Sequence, residues 1–448
     1  MKPTCLILFL LAIPIPSAAF AEDLRQSVRA DYETHLADLF DHFHRNPELS
    51  LVEYKTAARM AREIRAVGFD VTEGVGGTGV VALLRNGEGP TVMMRADMDG
   101  LPVEEKSGLP NASKVTQQSP ITGEVVPVMH ACGHDVHLTS LVGTARYMSA
   151  NRDAWRGTLM LIMQPAEERV MGARAMKQDR LWERFGVPDY ALAFHVTSRD
   201  RSGLINVSEG SPYAGSDTVD IVVHGIGAHG ASPHRGKDPI VLGSQIVLAL
   251  QTLVSREIAP RVPGVVTVGS FHSGTKHNII SDKAHLQLTV RSTSPETRKT
   301  LLDGIRRIAT NMGRVAGLPE DKLPEVTVSK EGVPPTNNTP ELARRLRAAW
   351  QKNIGEDQVI DEPSKGMGAE DFPIFTSDPT IPSVYWSVGG TPQSAFDTEA
   401  AGGAAVPSHH SPLFKIESRP AVIRGVESTV VALMTLMGGD ESGARKPE

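Results

Sequence analysis

Short apolar runs alternate with amphipathic stretches along this chain, and their order predicts its architecture. Val80 to Leu84, Val92 to Met94, Leu159 to Met163 and Tyr190 to Phe194 have the length and composition of strands. Helix-like segments such as Leu138 to Ala150 lie between strands. That alternation predicts an α/β fold with a largely parallel sheet flanked by helices. Ser50-Leu-Val-Glu53 fits a capping box, and the amphipathic stretch after it stops at Gly68, so a helix is expected from Glu53 to Val67.

Two breaker-rich stretches, SEGSPYAGSD (208–217) and SKEGVPPTNNTP (329–340), bracket a segment with a different rhythm. It reads as strand Thr218 to His224, helix Pro239 to Glu257, strands Val265 to Phe271 and Ala284 to Arg291, helix Pro295 to Val315 and strand Glu325 to Val328. That order is the split βαβ, ferredoxin-like α+β arrangement. An α/β pattern then resumes. The expected organisation is a discontinuous domain, 22–214 and 331–438, with the segment 215–330 inserted into it as a lid.

The N-terminus changes where the protein is expected to work. Lys2, the apolar run Leu6 to Ile15 and the small residues ending Ala19-Phe20-Ala21 have the form of a signal peptide, 1–21, cleaved after Ala21. The mature chain is expected to be exported, to a periplasm or beyond. A net charge of −6 and 40% hydrophobic residues describe a soluble globular protein for which nucleic acid and anionic membranes are poor partners. No later stretch reads as a transmembrane helix, so no membrane attachment is expected after cleavage, and 439–448 reads as a solvated tail. Of the two cysteines, Cys5 leaves with the signal. Cys132 then has no internal disulfide partner, and its histidine neighbours favour a thiol held by a metal.

Three predicted strands each deliver an acid or a histidine at the C-terminal end, the edge where open α/β sheets carry ligands: Asp97, Glu167-Glu168 and His195. Cys132 and His134, either side of Gly133 in HACGHDVH (130–137), could face one metal, although a polar loop of hydrogen-bonded histidines also fits. Asp135 and His137 either orient ligands or lie on the surface. Of the adjacent glutamates, one can bind metal while its neighbour takes a proton from water; an acidic helix start is the plainer account. Gly74-Val-Gly76-Gly-Thr-Gly79 matches a dinucleotide fingerprint in form, but a strand follows it where a helix is required, so it reads as a hairpin turn. The common serine hydrolase, zincin and P-loop signatures are absent.

The segments HRNPELS (44–50), RADMDGLPVEE (95–105), MHACGHDVH (129–137), QPAEE (164–168), FHV (194–196), GAHGASPHRGKDP (227–239), KHNIISD (276–282), GAEDF (368–372) and HHSPLF (409–414) together resemble the M20 metallopeptidases. Within them the likeness is to the amidohydrolase branch that includes hippurate hydrolases and indole-acetyl-amino-acid hydrolases. The resemblance implies a catalytic α/β domain with an inserted lid that usually dimerises. It implies two divalent metal ions, Zn, Mn, Co or Ni, and cleavage of the amide of an N-acyl amino acid or short peptide. Motif by motif it makes Cys132, His134, Glu168, His195 and His410 metal ligands and Glu167 the general base. His410 is preferred over His409 because it directly precedes Ser411-Pro412. Asp97 becomes a supporting residue, because Arg95 stands where the wider family carries a ligand histidine. In the lid, His229 would stabilise the oxyanion, often across the dimer, while Asn278 and Arg291 would hold the substrate. TSRDRSG after FHV, and the segment 394–408, depart from the family pattern near the expected pocket. A dipeptidase or carboxypeptidase with the same site, and a metal- or ligand-binding protein without turnover, are the competing readings.

Overall fold

The computed structural model describes residues 17–438, so the apolar run Leu6 to Ile15 and the tail 439–448 lie outside the described residues. Four parallel strands form the centre of an eight-stranded mixed sheet, in the order Gly157–Gln164, Thr91–Asp97, Tyr190–Arg201, Ser383–Thr391. Their near-continuous apolar runs follow from burial on both faces. The antiparallel hairpin of Asp70–Val75 and Gly79–Asn86 extends one edge, with the glycine-rich stretch as its turn. Two short strands, Ile205–Asn206 and Val359–Ile360, complete the other.

Helices His134–Ala150 and Ser418–Met437 cover one face, and both are buried almost all round. The core there includes Trp350 and Trp386, whose rings pack 5.1 Å apart and whose indole N–H groups donate to Ser428. The opposite face is closed by Met176, Phe372, Phe375 and Tyr385. A second, four-stranded antiparallel sheet has the order Gly264–Ser273, Lys283–Ser292, Gly215–His224, Glu325–Val328. Helices Pro239–Thr252 and Pro295–Val315 pack on it around a core of their own. Asp238 and Ser294 cap these helices with side-chain oxygens, each ahead of a proline in the first turn.

Two local expectations are corrected. The helix after Ser50 spans Tyr54–Ala66, and Glu53 gives it no side-chain cap; both polar residues are drawn into tertiary hydrogen bonds described below. Two later helices, Pro239–Glu257 and Ser418–Met437, do have the length and mean hydropathy of a membrane span. Ser418–Met437 is largely buried in the core, which accounts for its composition; Pro239–Glu257 leaves Leu248 72% exposed.

Candidate active site

Parallel pairing brings the ends of the central strands to one edge of the sheet, where a cavity of about 460 Å³ opens. Cys132, Glu167, Glu168, His195, His409 and His410 are among its lining residues. Gly133, at φ +84°, turns the chain into helix His134–Ala150; a Cβ there would lie 2.4 Å from Val196 Cγ1, so the position requires glycine.

Glu167 and Glu168 leave their strand through Pro165 and Ala166. Ala166 has φ +49°, a left-handed conformation that costs a non-glycine residue about 1–3 kcal/mol. Carboxylates beneath the turn offset this. The Ala166 N–H donates to Glu53 Oε1 at 2.8 Å, and those of Glu167 and Glu168 donate to the two oxygens of Asp99 at 3.1 and 3.0 Å. Ser50 donates to Asp99 and Thr78 to Glu53, each at 2.6 Å.

The histidines divide by what their ring nitrogens meet. A nitrogen that donates to a carbonyl leaves the opposite nitrogen with a free lone pair; one that accepts from a backbone N–H leaves the opposite nitrogen protonated. His134 Nδ1 lies 2.8 Å from the Asp99 carbonyl and His195 Nδ1 lies 2.6 Å from that of Val196, so in both rings Nε2 is the nitrogen that can face an ion. His195 Nε2 is 3.4 Å from Cys132 Sγ, and His134 Nε2 is 3.9 Å from Glu168 Oε1. His137 is the other kind: the Val196 N–H donates to its Nε2 at 2.9 Å, and its Nδ1–H donates to Asp97 Oδ1 at 2.5 Å. His137 is therefore a buried support. Asp97 also takes Arg95 Nη1 at 2.5 Å, and the buried guanidinium reaches Gln164 at 2.8 Å and Glu370 at 2.7 Å. Glu370 and Asp371 belong to this network, Asp371 accepting from Gln164 and from the Ala173 N–H.

These residues fit a bound cation. Cys132, His134 and Glu168 form one group of ligand atoms within 4.8 Å of one another, Cys132, His195 and His409 a second, and the sulfur is common to both. His134 Nε2 and Glu168 Oε1 are buried with no hydrogen-bond partner, a costly arrangement that an ion between them would resolve. Burial alone would lower the pKa of His134, but Asp97, Asp99 and Glu168 outweigh it and raise it to about 10: the position is prepared for positive charge. Burial, and then the charges of Glu370 and Glu168, push Glu167 well above the usual carboxylate range.

The two histidines of HHSPLF part company. His409 Nδ1 lies 3.7 Å from Cys132 Sγ, whereas His410 is 55% exposed with Nε2 3.4 Å from Glu168 Oε2. The lid residues His229, Asn278 and Arg291 do not line the cavity. His229 is exposed and next to Asn278 across the short ladder Ala228–His229 with Ile279–Ile280; Arg291 is half-buried, paired in the sheet with Ser216 and Val265. Sequence reasoning missed Glu53, Asp99 and Arg95 as members of the site, and left His137 open between a residue that orients ligands and one on the surface. Only RADMD and the third histidine of HACGHDVH held a hint of them.

The match to known proteins is extensive. Residues 93–401 fit the model of Peptidase family M20/M25/M40. The chain belongs to this family. Thermostable carboxypeptidase 2 of Saccharolobus solfataricus is 37% identical over 82% of this chain and 88% of its own length. Hippurate hydrolase of Campylobacter jejuni is 36% identical over 74% of this chain and 82% of its own length. Among solved structures, a dinuclear metal binding peptidase of the M20 family from Bacillus subtilis superposes with a TM-score of 0.72 at 26% identity, over 91% of this chain and 99% of that one. This M20 protein is accordingly a hydrolase of amide bonds, and its buried histidine, aspartate and glutamate groups are able to hold metal.

Proposed function

We propose that the protein is an exported amidohydrolase that uses two divalent ions to cleave the amide of an N-acyl amino acid. The observation that carries this reading is Cys132 Sγ, which groups with His134 and Glu168 on one side and lies 3.4 Å from His195 Nε2 on the other, with Glu167 at the same cavity. Cys132, His134, Glu168, His195 and His410 would hold the ions, and the dinuclear Bacillus subtilis peptidase supports a pair. When bound, the ions supply Lewis-acid polarisation of the amide carbonyl and acidify water. Glu167 takes the proton of the attacking water as the carbon–oxygen bond forms, and passes it to the nitrogen as the carbon–nitrogen bond breaks.

His229, Asn278 and Arg291 can meet the substrate only if the lid closes or a second copy presents them. Exposed Ile240, Val241 and Leu248 on helix Pro239–Thr252 give the lid an apolar face suited to a homodimer. Export rests on the N-terminal sequence alone, and N-terminal sequencing of the secreted protein should begin at Glu22. A dipeptidase or carboxypeptidase is the second reading, favoured by the relatedness to thermostable carboxypeptidase 2. A panel of N-acyl amino acids and dipeptides, offered to protein loaded with Zn, Mn, Co or Ni, separates the two by the substrate with the higher kcat/KM.

A further inference from the structure

We infer that His409 is a positioning residue for the Cys132 thiolate, donating its Nδ1–H to the sulfur rather than ligating an ion. This rests on the reading of Cys132 as a ligand. The Ser198 N–H donates to His409 Nε2 at 3.2 Å, so that nitrogen is unprotonated and the neutral ring carries its proton on Nδ1. Nδ1 faces Cys132 Sγ at 3.7 Å, within reach of a hydrogen bond to sulfur. The opposite tautomer would set one N–H against another.

The surroundings hold this arrangement. The imidazole lies between Phe414, with ring centroids 4.7 Å apart, and His195, at 5.3 Å. Ser198 is fixed in turn by its carbonyl, which accepts from Thr391 Oγ1 at 2.9 Å. The next residue, His410, has φ +66°, and its backbone N–H donates to the Ala131 carbonyl at 2.9 Å. That reversal sends adjacent imidazoles to different partners, His409 to the sulfur and His410 to Glu168. A proton donated to a thiolate draws electron density from it, so His409 would tune how strongly Cys132 donates to the ions.

Cobalt-loaded mature protein tests this through the thiolate-to-cobalt charge-transfer band and the number of ions bound. His409→Leu should move the band to lower energy with the ion count unchanged, and His409→Asn, whose amide can donate from the Nδ1 position, should bring it back toward the wild-type energy. Ser198→Ala keeps the backbone N–H that His409 Nε2 accepts from and should leave the band in place. His410→Leu, by contrast, should lose bound metal. Loss of an ion from His409→Leu, or a band that does not move, would overturn the inference alone. Wild-type protein with no such band would overturn the ligand role of Cys132 as well.

Discussion

Glu167 and Glu168 are neighbours in sequence with different chemistry ahead of them. Glu168 has an oxygen buried without a hydrogen-bond partner beside His134, which suits a metal ligand, whereas Glu167 is pressed toward holding a proton. Glu167→Gln keeps the shape and removes the base. It should retain the metal content of the wild type while kcat falls by about 10²–10⁴-fold, the usual scale of general acid–base catalysis. Mass spectrometry of bound metal beside steady-state kinetics checks both halves, and loss of metal in parallel with activity would make Glu167 a ligand. Cys132→Ser bears on the ligand set itself. If the sulfur serves two ions as proposed, the substitution should lower the affinity for each, measured by chelator competition.

At the scale of elements, the turn that carries the two glutamates depends on a carboxylate from the start of another helix. Glu53→Ala would leave the Ala166 N–H and the Thr78 hydroxyl buried without Glu53, at a cost of about 1–3 kcal/mol each. Urea unfolding should show that loss, and kcat should fall as the turn relaxes; unchanged stability would mean that the contact contributes nothing. A second joint links helix Ala37–Arg45 to helix His134–Ala150 through His44, which lies 2.7 Å from Asp135 and 3.3 Å from Glu105. Burial opposes charge there, but the two acids outweigh it and raise the His44 pKa from 6.5 to about 10. A raised folded-state pKa adds stability that is complete below pH 6.5 and lost as pH climbs toward about 10. The Tm of the wild type should therefore fall more across that interval than the Tm of His44→Gln, and equal falls would contradict the pairing. Strands and long helices were legible because periodicity and caps are local. Ser50 and Glu53 were misread because their spacing matches a capping box, while the partners that claim them, Asp99 and Ala166, come from distant parts of the chain.

On the scale of the whole molecule, one sheet edge gathers Asp97, Glu167, Glu168 and His195 from three strands, and the sequence already ordered them so. The supports were less legible. Nothing local to Arg95 announces the Asp97, Gln164 and Glu370 that surround it, and the choice for His137 between orienting a ligand and lying on the surface is decided by Asp97 and the Val196 N–H, which close on it. The lid poses the remaining question, since its apolar helix face is uncovered and His229 stands outside the cavity. If the face pairs two copies as proposed, light scattering should show a dimer for the wild type and a monomer for Leu248→Glu, and kcat should fall in Leu248→Glu as in His229→Ala if His229 of the partner subunit serves the site. All of this converges on one proposed reaction, hydrolysis of amides in this cavity with metal and with Glu167 as base. Its most direct test is mass-spectrometric analysis of N-acyl amino acids and dipeptides incubated with the metal-loaded mature protein, beside Glu167→Gln and a chelator-treated control. Free amino acid and acid should form with the wild type alone, and release from the control or the variant at the wild-type rate would contradict hydrolysis by metal and Glu167.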